Sequence, residues 1–387
     1  MMHSTRSLIQ WFEHLEIFCA QAMSPDSLLG PYDATRERKR VAVAASFGLT
    51  GIQVGLEHGG FGAPYSTKAQ LAQRLASLDF GVSMAVINSQ NVADDVSRWL
   101  PAEVSKRWVP GLVSGELIGC TALTEPGAGS DFSAVTTHAV RTSDGWRLLG
   151  EKAWIINAKI ADVFLVYAQT QPGAGAAGIA AFVVEAKREG FERSMDAFTS
   201  AAASSSTGGF RLQGYVARPD EMLHPPGQAF KRALESINGA RVYVAAMCVG
   251  MLQESLRIAQ TYGQRRQTFG QPLAQHQGWR WMIAEAAVDL EAASALVQCA
   301  AQAIDEGSQS QDLAAKAKVF ATRAAQRHLP TLLHAMGAEG LRDSYPLLRH
   351  VAAAQVATLV DGSTEMLLER ISKNFKTGVE SNARISN

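Results

Sequence analysis

The chain has 387 residues, 47% of them hydrophobic, with 36 basic and 36 acidic side chains, enough apolar material for a full core and for about two or three domains. Balanced charge leaves no overall field for a nucleic-acid backbone or an anionic membrane surface, so neither is expected as a partner. Cys19, Cys120, Cys248 and Cys299 show no CxxC or paired spacing, which argues against a zinc site or disulfide framework and fits a reducing cytoplasm.

At the N-terminus, MMHSTRSLIQWFEHLEIFCAQ sets Trp11, Phe12, Leu15 and Phe18 on one helical face among charges, as in a folded helix and unlike a signal or transit peptide. Residues 1–115 keep a helical rhythm, interrupted by GPYD at 31–34, HGGFGAPYS at 58–66 and Pro101. Between 116 and 225 the rhythm shortens. GWRLLGEKAWI, ADVFLVYAQT, GIAAFVVEA and GGFRLQGYV are rich in aromatic and β-branched residues and separated by Gly, Pro and Ser, as in antiparallel strands. From 226 to 387 helical patterns return over 228–264, 276–306, 311–328 and 346–358, with another from Thr364. The longest apolar runs, such as VYVAAMCVGML at 242–252, fall short of the ~20 residues that span a bilayer. The expected architecture is α+β: an N-terminal helical domain, a central antiparallel β domain and a C-terminal helical bundle.

GAGAAG at 173–178 spells a GxGxxG dinucleotide motif, with Asp196 about 20 residues on. The following IAAFVVEAKREGF is rich in strand formers, whereas the fingerprint needs a helix to receive a pyrophosphate. A hairpin loop is expected there. TEPGAGSD at 124–131 offers glycines for close backbone approach and hydroxyls from Thr124 and Ser130; alone, it reads equally well as an ordinary loop. KAWIIN puts Trp154 in a strand, where its flat surface could wall a ring cofactor, although in isolation core filling is the expected reading. RRQTFGQPLAQHQ at 265–277 places arginines at a helix end, suited to phosphate, although two adjacent arginines there are usually a solvated terminus. In TLVDGSTEM at 358–366, residue types alone favour a turn or cap at Asp361 over a proton acceptor.

The order of these motifs carries the specificity. EHGGFGAP, ELIGCTALTEPGAGSD, WII, RRQTFGxPxxxHQ, GQAFKRAL…GARVYVAAMCVG and LHAMGAEGLRDSYPLLRH…VDGSTEM together resemble the acyl-CoA dehydrogenases over nearly the whole chain. The resemblance implies that family's fold, with a C-terminal four-helix bundle, and FAD held by the β domain and the C-terminal helices in a homodimer or homotetramer. It implies that Thr121, Leu123, Thr124, Gly129 and Ser130 line the flavin, with Leu123 and Thr124 near its pyrimidine and Ser130 near its phosphates, and that Trp154 and Ile156 flank its ring. Arg266, Thr268 and Phe269 would reach the FAD of a neighbouring subunit, and Gln277, His334 and Gly337 its AMP side. Ser363 and Glu365 join the cofactor set, while Ser130, Arg241 and Gly362 border the substrate. No metal is implied.

The implied reaction takes the α-proton of an acyl thioester, borne by CoA or a carrier protein, onto a carboxylate while the β-hydrogen leaves as hydride to flavin N5. Asp361 occupies the base position, and its backbone N–H with a ribityl hydroxyl would stabilise the enolate-like oxygen. Electron-transfer flavoprotein is the implied electron acceptor. Four positions depart from the family pattern: Asp361 replaces Glu, Ile156 replaces Thr, His334 replaces Gln, and VAAA at 351–354 replaces Arg-Asp-Ala-Lys. Ala240 leaves no substitute carboxylate beside Arg241. An Asp base also resembles the nitroalkane oxidases, which deprotonate a carbon acid without a thioester; a flavin-binding interaction protein without activity is the third reading.

Overall fold

The computed structural model describes residues 8–23, 28, 32–194 and 205–382. The chain divides into two compact units: Met1–Leu71 with Phe80–Glu235, and Ala72–Asp79 with Ser236–Asn387. Helices α1 (Leu8–Ala22), α2 (Ala34–Ser46), α3 (Tyr65–Ala76), whose residues from Ala72 fall to the second unit, and α4 (Phe80–Trp99), with short α5 (Ala102–Ser105) and α6 (Val109–Ser114), precede the sheet. Helix α1 buries Trp11, Leu15 and Phe18, while Phe12, one residue or about 100° round the helix, is 40% exposed and does not share their face. Asp33 starts α2, its carboxylate accepting the N–H groups of Thr35 at 2.8 Å and Arg36 at 3.1 Å.

The sheet comprises β1 (Gly119–Ala122), β2 (His138–Thr142), β3 (Gly145–Ile155), β4 (Val163–Gln169), β5 (Ile179–Glu185), β6 (Phe191–Ser194), β7 (Gly208–Ala217) and β8 (Met222–His224). Its order is β6-β7-β3-β2-β4-β5-β8, with β1 added beside β4. Most neighbours are antiparallel, as expected, but β1 joins β4 in parallel, Cys120 opposite Phe164. It arrives from the helices and not through a hairpin. Strand β4 sends Phe164, Val166 and Ala168 into one core and Val163, Leu165 and Tyr167 into another. Strand β5 divides likewise, so these strands read as unbroken apolar runs because both faces are buried.

The GAGAAG segment connects β4 to β5. Gln169 lies opposite Ile179 across this antiparallel pair, and a 3-10 turn fills Gly175–Gly178. The motif therefore sits in a hairpin, with a strand where the fingerprint requires a helix; Asp196 lies outside the described residues. Gly173 and Gly175 have φ of 80° and 54°. Gly173→Ala and Gly175→Ala should each cost ~1–2 kcal/mol through left-handed strain and leave flavin content unchanged. Thermal melts and the flavin-to-protein absorbance ratio check both parts.

The second unit is built on α7 (from Ala229, ending at Arg265), α8 (Gln277–Asp305), α9 (Gln311–Ala335), α10 (Leu347–Leu359) and α11 (Thr364–Asn382), with a small hairpin of β9 (Gln267–Thr268) and β10 (Gln271–Pro272). Helix α9 runs seven residues beyond the expected 328, through Pro330, to Ala335. Its small residues Ala314, Ala317, Ala321, Ala324 and Ala325 are buried and permit close packing. His328, on the same helix, meets Asp289 of α8 at 2.7 Å. Helix α7 is long and apolar enough to cross a membrane, although the run 242–252 alone is not, yet 83% of its most apolar stretch is buried within the protein. Among the described residues the four cysteines are free and no His, Cys, Asp and Glu cluster could hold a metal ion.

Candidate active site

Helix α10 ends at Leu359 and α11 begins at Thr364, leaving residues 360–363 as a tight link. Asp361 has φ 55° and Gly362 φ 102°, so an aspartate occupies the left-handed region where side chains are strained. The cap of α11 is Ser363: its hydroxyl receives the Met366 N–H at 3.5 Å and its carbonyl the Leu367 N–H at 3.1 Å. Asp361 is thus relieved of capping. Its side chain is partly buried, and its backbone N–H has no hydrogen-bond partner among the described residues.

Two buried cations meet this link. Arg241, on α7 and 9% exposed, donates its Nε–H to the Asp361 carbonyl at 3.3 Å. Lys318, on α9 and 1% exposed, donates to the Val360 carbonyl and, at 2.6 Å, to the Gly362 carbonyl. Burial pushes the Asp361 carboxyl above the ordinary range, and Lys318 and Arg241 pull it part of the way back. Burial also brings the Lys318 ammonium down to about 8 against the raising effect of Asp361. Gly362 borders Arg241: an added Cβ would stand 3.6 Å from its Nη2. Glu365 lies exposed in the first turn of α11, its carboxyl held below the ordinary value by a backbone hydrogen bond and by Ser363. The structure therefore gathers Arg241, Asp361, Gly362 and Ser363, and adds Lys318.

The expected flavin-lining residues of the first unit form a second group. Thr121 lies in β1, and Leu123 and Thr124 follow it; a bulge in β3 between Lys152 and Ile155 coincides with φ 56° at Trp154, which is 49% exposed. A half-exposed indole on a bulge suits a flat ring better than it suits core filling. No hydrogen bond involves the Thr121 or Thr124 hydroxyl among the described residues, and a Cβ at Gly127 would meet nothing within 4 Å. Gly129 and Ser130 are exposed beside them. Open glycines, free hydroxyls and a presented indole fit FAD. Ile156 is half-buried, and its carbonyl accepts the Cys120 thiol at 3.0 Å, so this position brings an alkyl group and no hydroxyl.

Residues beneath this surface were missed by the motif reading. Glu125 and Lys152 form a buried ion pair at 2.9 Å. Glu125 also accepts the N–H groups of Thr136 and Thr137, and Lys152 donates to the Leu123 carbonyl, so the pair ties the glycine-rich loop to β3. From α4, the Asn88 side-chain amide oxygen accepts the Thr121 N–H and the Ser89 hydroxyl the Gly119 N–H, both at 3.0 Å.

The remaining expected residues lie apart in the second unit. Arg266 and Phe269 are displayed by the β9–β10 hairpin, Phe269 at φ 51° and 98% exposed. Thr268 meets the His276 ring at 3.2 Å, and Gln277, the first residue of α8, is exposed. His334 is exposed in the last turn of α9, and Gly337 follows with φ 61°.

A helical region, an antiparallel-rich sheet with a half-exposed indole on a strand bulge, and a second helical unit with a carboxylate turn held by buried cations give the class of fold to compare with known proteins. Family models for the N-terminal, middle and C-terminal domains of acyl-CoA dehydrogenase match residues 13–116, 120–214 and 227–376. The mitochondrial short-chain specific acyl-CoA dehydrogenase of Bos taurus is 31% identical over 329 residues, 84% of this chain and 80% of that protein. The structure of butyryl-CoA dehydrogenase from Megasphaera elsdenii matches with a TM-score of 0.88 and 26% identity, over 97% of this chain and 99% of that one. An FAD complex of PigA shares the fold at TM-score 0.87 and 22% identity, over 97% and 98% of the two chains. The chain belongs to the acyl-CoA dehydrogenase family.

Proposed function

We propose that this protein is an FAD-dependent dehydrogenase of acyl thioesters in which Asp361 takes the α-proton. The cofactor of the family is FAD, and when bound it supplies the acceptor for the β-hydrogen. The observation that carries the reading is the Asp361 turn: a partly buried carboxylate, raised in pKa by burial, beside a peptide N–H without a partner among the described residues. A thioester α-proton is weakly acidic, so its removal needs a base near its working pH and a donor for the enolate-like oxygen. Asp361 offers the carboxylate and its own N–H offers the donor. Arg241 keeps the Asp361 carbonyl engaged and, with Gly362, would border the thioester end.

Thr121, Leu123, Thr124, Gly129 and Ser130 would hold the flavin by backbone and hydroxyl contacts, with Trp154 against its ring and Ile156 making the region near N5 dry. Ser363 and Glu365 remain proposed cofactor-binding residues of the second unit. Arg266, Thr268 and Phe269, with Gln277, His334 and Gly337, would reach the FAD of a second copy in a homodimer or homotetramer; a phenylalanine 98% exposed on a hairpin tip supports that reading. Electron-transfer flavoprotein is the proposed acceptor. Arg266→Ala should weaken FAD retention about 10- to 100-fold, the loss of a charge-assisted phosphate contact of ~1.5–3 kcal/mol. Equilibrium dialysis of FAD against wild type and variant measures it.

The aspartate itself favours a second reading, deprotonation of a nitroalkane, because its shorter arm draws the carboxylate back by ~1.5 Å where small displacement is costly. The proposed function is tested by α-hydrogen exchange: an acyl-CoA incubated with holoenzyme in D2O under anaerobic conditions should gain α-deuterium. Absence of exchange with every acyl-CoA and acyl-carrier-protein thioester tried would overturn it.

A further inference from the structure

We infer that Lys318 is a positioning residue for the Asp361 turn: by holding the carbonyls on either side of Asp361, it aims the Asp361 N–H at the reacting oxygen and keeps the carboxylate in its strained backbone. The inference rests on the reading of Asp361 as base and assigns that site a residue outside the sequence motifs. Three successive carbonyls are taken by buried cations: Val360 and Gly362 by the Lys318 ammonium, and Asp361 by Arg241. In a trans peptide the C=O and the following N–H point in opposite directions. With the Val360 carbonyl turned onto Lys318, the Asp361 N–H points away from the ammonium, where it finds no partner among the described residues. A peptide donor left without a partner in a partly buried turn carries a cost, so its orientation needs a counterweight. The left-handed backbone of Asp361 adds ~1–3 kcal/mol of strain. Two charge-assisted bonds from one ammonium offset both.

Lys318 stands on an apolar stripe of α9. Ala314, Ala317, Ala321 and Ala325 continue the stripe along α9, and Ala315 and Val319 pack with Leu367 of α11. A methylene stem with an uncharged tip would satisfy packing alone; the charge has no role there. The titratable groups facing the pair from neighbouring elements are Arg241 and Cys248 of α7 and, toward Arg241, Arg370 of α11. Apart from Lys318, Arg241 is the cation that acts directly on the Asp361 carboxyl. Removal of the Lys318 charge should therefore raise the carboxyl's titration midpoint.

The test compares Lys318→Met, which keeps the stem and loses both donors, with Lys318→Gln, which keeps an N–H donor group and loses the charge. FAD content and thermal melts establish folding. Flavin reduction by an acyl-CoA should slow ~10- to 100-fold in Lys318→Met, and less in Lys318→Gln, with a smaller change in thioester affinity. The Asp361 carboxyl is followed without substrate by infrared titration, its band assigned by subtraction of Asp361→Asn; in both variants its midpoint should move up by ~1 unit or more. The acid limb of kcat/KM should move the same way. A Lys318→Met protein with wild-type rate and an unmoved carboxyl titration would overturn the inference. Should Lys318→Met not fold, an unmoved titration in Lys318→Gln overturns it alone. A wild type that no thioester reduces would remove the base reading, yet the infrared titration would still decide whether Lys318 governs this carboxyl.

Discussion

Asp361→Asn is expected to bind FAD normally and to lose thioester-dependent flavin reduction by ~100-fold or more, the lower end for loss of a general base. The two side chains are close in size, and Asn tolerates the left-handed backbone at least as well as Asp, so the φ of 55° at this position presents no obstacle. Capping is not at stake either, because Ser363 performs it. Full activity in Asp361→Asn would therefore leave a turn residue and nothing more. The pH profile carries the same information. Only the ionised carboxyl accepts a proton, and burial raises its pKa, so kcat/KM should fall as pH drops through a value above the ordinary aspartate range. Asp361→Glu then separates two histories of the pocket: one built around aspartate loses activity with the longer arm, and one that only tolerates aspartate keeps or gains it.

The second large effect lies at Glu125. Glu125→Gln leaves the Lys152 ammonium fully buried with a carbonyl and an uncharged amide, and removal of one partner from a buried pair costs ~3–5 kcal/mol. Lys152→Met should cost less, because Glu125 would retain Thr136 and Thr137 as donors. Urea unfolding of the three proteins at neutral pH orders them; near-equal stability of wild type and Glu125→Gln would contradict the account. Burial alone would raise the Glu125 carboxyl, yet the Lys152 cation and the hydrogen bonds from Thr137, Lys152 and Thr136 outweigh it and hold it at about 2. That lies below the ~4.3 of an unfolded glutamate. Between these values the unfolded chain binds the extra proton, so the contribution is whole above ~4.3 and is lost as pH falls through about 2. Glu125→Gln should show a shallower loss of stability across that acid window.

Strands β4 and β5 were legible because burial on both faces forces an unbroken apolar run, which short polar loops then punctuate. The same β-branched run exposed GAGAAG as a hairpin, since strand formers follow where a helix was needed. On α1 the clustering of aromatic residues proved too coarse: Phe12 shares the segment with Trp11 and turns outward. The candidate site was legible only in part. Asp361 looks like a turn from its residue type, and it is in a turn; what the motif hides is that the cap has passed to Ser363. Lys318 was overlooked because lysines in an alanine-rich helix read as a solvated face. Lys316 and Lys318 are nevertheless about 200° apart on the helix, and only Lys318 falls on the stripe of Ala314, Ala321 and Ala325. One lysine had to point inward. Glu125 and Lys152 were obscured for a different reason, since their partnership joins residues 27 apart and depends on the sheet.

The measurement closest to the central claim is anaerobic mixing of the FAD-loaded wild type with acyl-CoA thioesters, acyl-carrier-protein thioesters and nitroalkanes, followed by the flavin absorbance. The account predicts rapid bleaching by at least one thioester and none by nitroalkanes. Bleaching by nitroalkanes alone would contradict it, as would a flavin that stays oxidised with every thioester.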